Sequence, residues 1–334
     1  MHALTKRSTH PHHANVDTLP LPEPGLGEVR VRTEACGLCG SDVHAWRQDA
    51  GYEWVRPPIV FGHEAIGHVE ALGKGVAPEW LGKRVVPVSI DGCGECDLCD
   101  QGLRQICLDR TVLGLSFDGA AAESFVVPAH RLVEVNTNLP ATTLALTEPL
   151  SVACRAVRHV ELGSDVPLKV VVTGPGPIGI MSAILLTQRG HTVVLCGVIH
   201  DEKERLPLAR SLGLNTMVND QDEIPFAPTA WLEASGSSAA LETAIETVRP
   251  GSTVSVVGLF AHAGSVNLNA VTRKEIRLQG SYGSTKDDYQ DALNALMKNP
   301  TLWPHLVTEV SLADGAQALE QAASGHNMKI VLIP

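Results

Sequence analysis

Apolar and polar positions divide the 334-residue chain into two textures. Up to about residue 150 the apolar residues come in short β-type runs separated by Gly and Pro. VRVRTEAC (29–36) and RVVPVSI (84–90) read as strands, and PLPEPGLGE (20–28) as a turn-rich entry segment. From Ser151 the pattern alternates. SVACRAVRHVEL has helical spacing, KVVVTG is a strand, IGIMSAILLTQRG a helix and TVVLCG a strand. RLPLARSLG (helix), AWLEASG (strand), AALETAIETV (helix) and STVSVVGLF (strand) continue the alternation. RLQGSYG adds a strand, and the chain closes with the helix DGAQALEQAA and the strand MKIVLIP. Alternation of this length predicts an α/β fold with a doubly wound parallel sheet covered by helices on both faces. The length suits two domains. The expected division is a strand-rich domain of residues 1–149 and 283–334, with a nucleotide-binding domain, 150–282, inserted in it.

Four of the eight cysteines stand in one loop, GCGECDLCDQGLRQIC, as Cys93, Cys96, Cys99 and Cys107. Four thiolates complete a tetrahedral zinc shell and leave no open position, which makes such a site structural. An iron–sulfur cluster uses similar ligands and is the alternative. A second set is open. Cys39 in CGLCGSDVH and His63 and Glu64 in FGHEAIGH offer zinc-competent donors, fewer than four, so room remains for water or substrate. The HPHH run at residues 10–13 reads as a solvated loop.

The succession GLCGSDVH, GHEAIGHV, the cysteine quartet, EPLSVA and GPGPIG resembles the zinc-containing medium-chain alcohol dehydrogenases, most of all their sorbitol (polyol) dehydrogenase branch. The resemblance runs the length of the chain. It implies a GroES-like catalytic domain beside a Rossmann domain, and an active site in the cleft with the nicotinamide beside a catalytic zinc. It assigns that zinc to Cys39 and His63, with Glu64 and Glu148 completing or adjusting the shell; which of the two ligates, or whether water does, stays open. It treats Cys36 as a packing residue, although Cys36-x-x-Cys39 also has redox-pair spacing. It gives Ser41 the role of a relay hydroxyl and His44 that of a proton exit. The chemistry agrees: a hydroxyl both accepts and donates, and a histidine titrates near neutrality. Otherwise the two serve only the turn's backbone. Asp42 either orients a zinc-bound histidine or caps the turn. Trp46, Tyr52 and Trp54 line the substrate pocket or pack elsewhere.

VVVTGPGPIG places Gly174-x-Gly176-x-x-Gly179 between a strand and a helix, with Pro177 and Ile178 opening the helix. Gly174 permits the turn, Gly176 admits a pyrophosphate to the backbone and Gly179 lets helix and strand pack. The helix N-terminus attracts the phosphates. The carboxylate expected about 20 residues on, which grips the ribose 2′-hydroxyl, is missing. The next strand ends at Cys196 and Gly197, and Asp201 and Glu202 come late among His200, Lys203 and Arg205. This predicts that NADP is accepted as well as NAD, with His200 or Arg205 beside the 2′-phosphate. Ser235, Val257 and Gly258 close later strands and are further cofactor contacts by the strand-end rule.

The formal net charge of −11 excludes a nucleic-acid partner. No apolar run reaches the roughly 18 residues of a spanning helix, and the first residues have no signal-peptide h-region. A cytoplasmic location is expected, where thiols stay reduced. The expected cofactors are one catalytic and one structural zinc with NAD or NADP, and the substrate a small alcohol. Leu278–Tyr282 is a candidate edge strand for a homodimer or homotetramer. Rival activities are threonine-type dehydrogenation, for which no carboxylate-binding arginine can be placed, and oxidation of simple secondary alcohols, diols or sugar acids. A non-catalytic zinc- and nucleotide-binding sensor or structural protein is the rival of another class, disfavoured because ligands and relay residues occur together.

Overall fold

A computed structural model describes residues 1–334. The chain divides into two compact units, residues 1–148 with 284–334, and residues 149–283.

The first unit is built on a mixed sheet. Its strands lie in the order Leu132–Glu134, Arg84–Pro87, Glu64–Leu72, Glu28–Gly37, Lys329–Ile333 and Val307–Ser311, with Ser124–Pro128 also pairing to Glu28–Gly37. The central strand alternates as its sequence does: Val29, Val31 and Thr33 are buried and Arg30 and Arg32 are not. Register sets the site. Gly37 lies opposite Glu64 on one side and Val331 on the other. A Cβ at Gly37 would stand 2.2 Å from Glu64 Oε2, so only glycine leaves room for that carboxylate. The core of this unit gathers Val29, Val31, Phe61, Leu113, Phe125 and Leu332.

One local element departs from the sequence reading. The segment after Cys39 is not a turn but a helix, Gly40–Arg47, with Cys39 as its N-cap. Asp42 at the third helical position returns a carboxylate oxygen to the Cys39 N–H at 2.9 Å. Eight residues are too few to show a helical apolar repeat, so the pattern concealed it.

The second unit is a six-stranded sheet in which every pairing is parallel. Its order is Thr216–Val218, Thr192–Gly197, Lys169–Thr173, Ala230–Glu233, Thr253–Val256, Arg277–Gly280. Numbered along the chain this is 3-2-1-4-5-6, the doubly wound order, with its switch point between Lys169–Thr173 and Ala230–Glu233. Thr216–Val218 and Arg277–Gly280 are the two edge strands, and in the latter Leu278 is exposed. No helix is long and apolar enough to cross a membrane.

Candidate active site and metal centres

The four cysteine sulfurs converge. All lie within 4.8 Å of one another, with Cys93–Cys99 at 4.0 Å, Cys96–Cys107 at 3.6 Å and Cys93–Cys107 at 3.7 Å. Four thiolates about 2.3 Å from one tetrahedral ion stand about 3.8 Å apart. The spacing fits one zinc; a multi-iron cluster would interpose iron and sulfide and hold the thiolates wider. The N–H groups of Cys93 and Gly94 point at Cys107 and Cys99 sulfurs, 3.5 and 3.3 Å away, an arrangement that favours thiolates.

The open set also assembles. Donor atoms of Cys39, His63 and Glu64 lie within 4.8 Å of one another. Cys39 comes from the helix N-cap, His63 from the turn after Gly62, and Glu64 from the first position of its strand. Gly62 has a φ of +93°, and a Cβ there would meet the Cys36 sulfur at 2.6 Å and the Ala121 nitrogen at 2.7 Å. The backbone can therefore swing His63 into the site only through glycine. Ser41 Oγ lies 3.4 Å from His63 Nε2. Asp42, fully buried, accepts the Cys39 and Gly62 N–H groups and stands 3.6 Å from His63 Nδ1. It caps the helix, and it faces the imidazole without a direct hydrogen bond to it.

Glu148, at the start of the helix Thr147–Val160, stays outside the three-donor group. Its Oε1 accepts the Ser89 hydroxyl at 2.7 Å, and the buried Tyr289 hydroxyl accepts the Ser89 N–H at 2.9 Å. His44 is half exposed, bonds Asp49 at 2.7 Å through Nδ1, and stacks on Tyr52 with ring centroids 5.3 Å apart. Trp54 continues the stack at the surface, whereas Trp46 belongs to the core. All eight cysteines are free. Burial, then Asp42 and Glu64, pushes the Cys36 thiol well above its ordinary value, so Cys36 is an inert packing thiol and not half of a redox pair.

The sequence reading missed Lys329. Its ammonium, 4% exposed, meets Glu64 Oε1 at 2.6 Å and the Leu38 carbonyl at 3.2 Å. No local signal marks it, because it lies 265 residues from its partner. Even with Lys329, the pocket is rich in anions. Burial opposes an imidazolium at His63, yet Asp42 and Cys39 outweigh burial and hold its pKa well above the ordinary value. Burial, reinforced by Glu64, raises Glu148. The second oxygen of Glu64 is buried with no hydrogen-bond partner. A sulfur, an imidazole and an unpartnered carboxylate oxygen in a negative field are the surroundings a zinc ion takes.

In the second unit the turn after Lys169–Thr173 places Gly174 at φ +92°, its α-carbon side against Ser235 across the switch point. A Cβ at Gly179 would stand 1.9 Å from the Gly174 carbonyl oxygen, so the helix Pro177–Gln188 packs this closely only through glycine. Pro177 and Ile178 open that helix, and a Cβ at Gly176 would project into open space, as a backbone cradle for pyrophosphate requires. Ser235 and Gly236 turn around the fully buried Glu233, another residue the sequence reading missed: its carboxylate accepts both N–H groups, at 2.7 and 3.1 Å. Gly258 lies against Gly236 and Glu233, and the Val257 N–H bonds the Glu233 carbonyl at 2.9 Å. Gly197 lies between Pro175 and Asp201. Asp201 turns back to accept the Val198 N–H at 2.9 Å, so the one buried carboxylate after this strand is committed to its own loop. Arg205 opens the next helix, Arg205–Ser211, and His200 is exposed.

Comparison with known proteins identifies relatives over the length of the chain. The alcohol dehydrogenase GroES-like domain matches residues 25–137, and the zinc-binding dehydrogenase family matches residues 177–298. The chain is 30% identical to a sorbitol dehydrogenase of Halalkalibacterium halodurans, over 100% of this chain and 99% of that protein. It is also 30% identical to an L-threonine 3-dehydrogenase of Chelativorans sp. BNC1, over 95% and 94%. An alcohol dehydrogenase of Escherichia coli CFT073 solved with NADH superposes with a TM-score of 0.90 at 25% identity, over 100% of this chain and 99% of that one.

Proposed function

The chain belongs to the zinc-containing medium-chain alcohol dehydrogenases, and from that membership we propose that it oxidises a secondary alcohol in a polyol or sugar alcohol to the ketone. It is a zinc-dependent, NAD(P)-linked alcohol dehydrogenase. The observation that carries the active-site reading is the convergence of Cys39, His63 and Glu64 beside the Ser41 hydroxyl.

Cys39, His63 and Glu64 would hold the catalytic zinc, with Glu148 adjusting its surroundings, and Cys93, Cys96, Cys99 and Cys107 the structural one. Zinc held there would lower the pKa of the hydroxyl it polarises toward neutrality, and a bound nicotinamide would supply the hydride acceptor. Lys329 holds one oxygen of Glu64 and leaves the other buried without a hydrogen-bond partner. Asp42 orients the His63 ring. The proton released from the alcohol passes to Ser41 Oγ. His44 follows three residues on, on the same helix face, and delivers it to solvent, its ring steadied by Asp49 and Tyr52. Ser41→Ala should lower kcat about 100-fold at unchanged zinc content and melting temperature. Full turnover in that variant would remove the relay.

Two features support the polyol reading: serine at 41 where the threonine-type branch carries threonine, and EPLSVA at 148–153. The threonine-type relative of equal identity keeps L-threonine as the second reading. For the nucleotide, Asp201 is tied to the Val198 amide and no carboxylate remains at the strand end to exclude a 2′-phosphate, so both NAD and NADP serve. The decisive assay follows nicotinamide reduction on sugar alcohols, secondary alcohols and threonine with each nucleotide. A chelator-sensitive rate on a polyol is expected; turnover of threonine alone would replace the substrate assignment, and strict NAD dependence the cofactor one. The exposed edge strand Arg277–Gly280 supports a dimer formed by sheet extension, expected as a dimeric or tetrameric mass in light scattering. A monomer would exclude it. The unpaired thiols support a cytoplasmic location.

A further inference from the structure

A cavity of about 230 Å³ lies in the first unit, on the side of the Ile90–Asp91 strand where the cysteine loop meets the start of the helix Lys286–Lys298. No metal-ligating residue lines it. Four basic side chains do: Arg104, His130, Arg131 and Lys286. One buried carboxylate serves three of them. Asp91 accepts Arg104 Nε at 2.5 Å and Nη2 at 2.9 Å, and meets His130 Nε2 at 2.6 Å, while Arg131 Nε stands 3.6 Å away. Asp287 at the first helical turn is the other acid in the lining.

Arg131 is 5% exposed, its Nε has no hydrogen-bond partner, and its terminal nitrogens reach only the neutral oxygens of Thr111. Lys286 forms no ion pair. Burial lowers both cations from their ordinary values; Asp91 opposes the shift and the charge of Arg104 adds to it, without reversing the direction on either. Gln105 is 1% exposed and lines the same cavity, yet neither its amide nitrogen nor its amide oxygen has a partner. A buried amide left unsatisfied is costly, so a polar ligand that pairs with it here is favoured. At the start of the helix a capping box between Thr285 and Asp288 takes the N–H groups of those two residues, which leaves the N–H groups of Lys286 and Asp287 at this end of the cavity.

We propose that this cavity, lined by none of the residues assigned to the alcohol or the nucleotide, binds a small phosphate-type oxyanion. Arg131 Nε, the Lys286 ammonium and the Gln105 amide N–H donate to it, and the Arg104–Asp91 pair forms the wall behind. At about 230 Å³ the cavity is smaller than the roughly 300–1,000 Å³ of pockets for drug-sized ligands, which suits a phosphate with at most a small attached group. Ligand there would tie the cysteine loop, through Gln105, to the helix that carries Tyr289.

The test is calorimetric titration of inorganic phosphate into the zinc-loaded enzyme at constant ionic strength, with saturating NADH so that any phosphate subsite of the nucleotide site is filled. One phosphate per chain is expected, with a Kd of about 1 mM. Lys286→Met and Gln105→Met should each weaken it about tenfold. Lys286→Met should melt as the unsubstituted enzyme does when phosphate is absent. No saturable binding, binding abolished by NADH, or an affinity that neither substitution lowers would overturn the proposal.

Discussion

Replacing His63 with alanine lowers kcat/KM about 1000-fold and reduces the zinc content from two ions per chain to one. His63 is one of three donors in the open set, and the structural quartet is an independent site, so the loss is confined to the catalytic ion. Polarisation of the reacting oxygen by that ion is worth several kcal/mol, and about 4 kcal/mol corresponds to three powers of ten in rate. The measurement pairs steady-state kinetics with total metal analysis on the same preparation. A variant that keeps both zinc ions and turns over within tenfold of the original would show that His63 is not a ligand.

Lys329→Met has the second large effect, and it acts first on stability. Glu64 and Lys329 are 0% and 4% exposed, and the 2.6 Å pair is the cation's only carboxylate contact. Two buried opposite charges offset each other's desolvation; removal of one leaves the other unpaired, at a cost of about 3–5 kcal/mol. The expected result is a large fall in the denaturant midpoint of the unit that carries the site. Adding Glu64→Gln to Lys329→Met should recover part of the loss, since the amide removes the orphaned charge. A Lys329→Met protein within 1 kcal/mol of the original, or a double variant no better than the single, would show that the pair does not hold the site together.

These two residues also mark the line between what could be read along the chain and what could not. His63 was legible because its neighbours announce it: Gly62 supplies the left-handed backbone, Glu64 the second donor, and both are adjacent. The quartet was legible for the same reason, since all four ligands fall within one loop of 15 residues, Cys93 to Cys107. The Gly174–Gly179 turn was equally local, and the parallel sheet followed from alternation of strand and helix. Lys329 carries no such signal: a lysine before an apolar terminal strand reads as a solvated charge until pairing of Lys329–Ile333 with Glu28–Gly37 brings it beside Glu64. Ser89 and Tyr289, 200 residues apart, are alike in this.

The sequence by itself determined the donor chemistry, the nucleotide turn and the alternating sheet, because each depends on residues within one turn or one strand of each other, where chain connectivity already sets the geometry. The tertiary structure alone decided which charges offset one another. It turned the Cys39 segment into a helix capped by Asp42, set that carboxylate opposite His63, committed Asp201 to its own loop and gathered Arg104, His130 and Arg131 around Asp91. Electrostatic partnership depends on distance in space and on burial, and both are set by strand register between segments far apart in the chain.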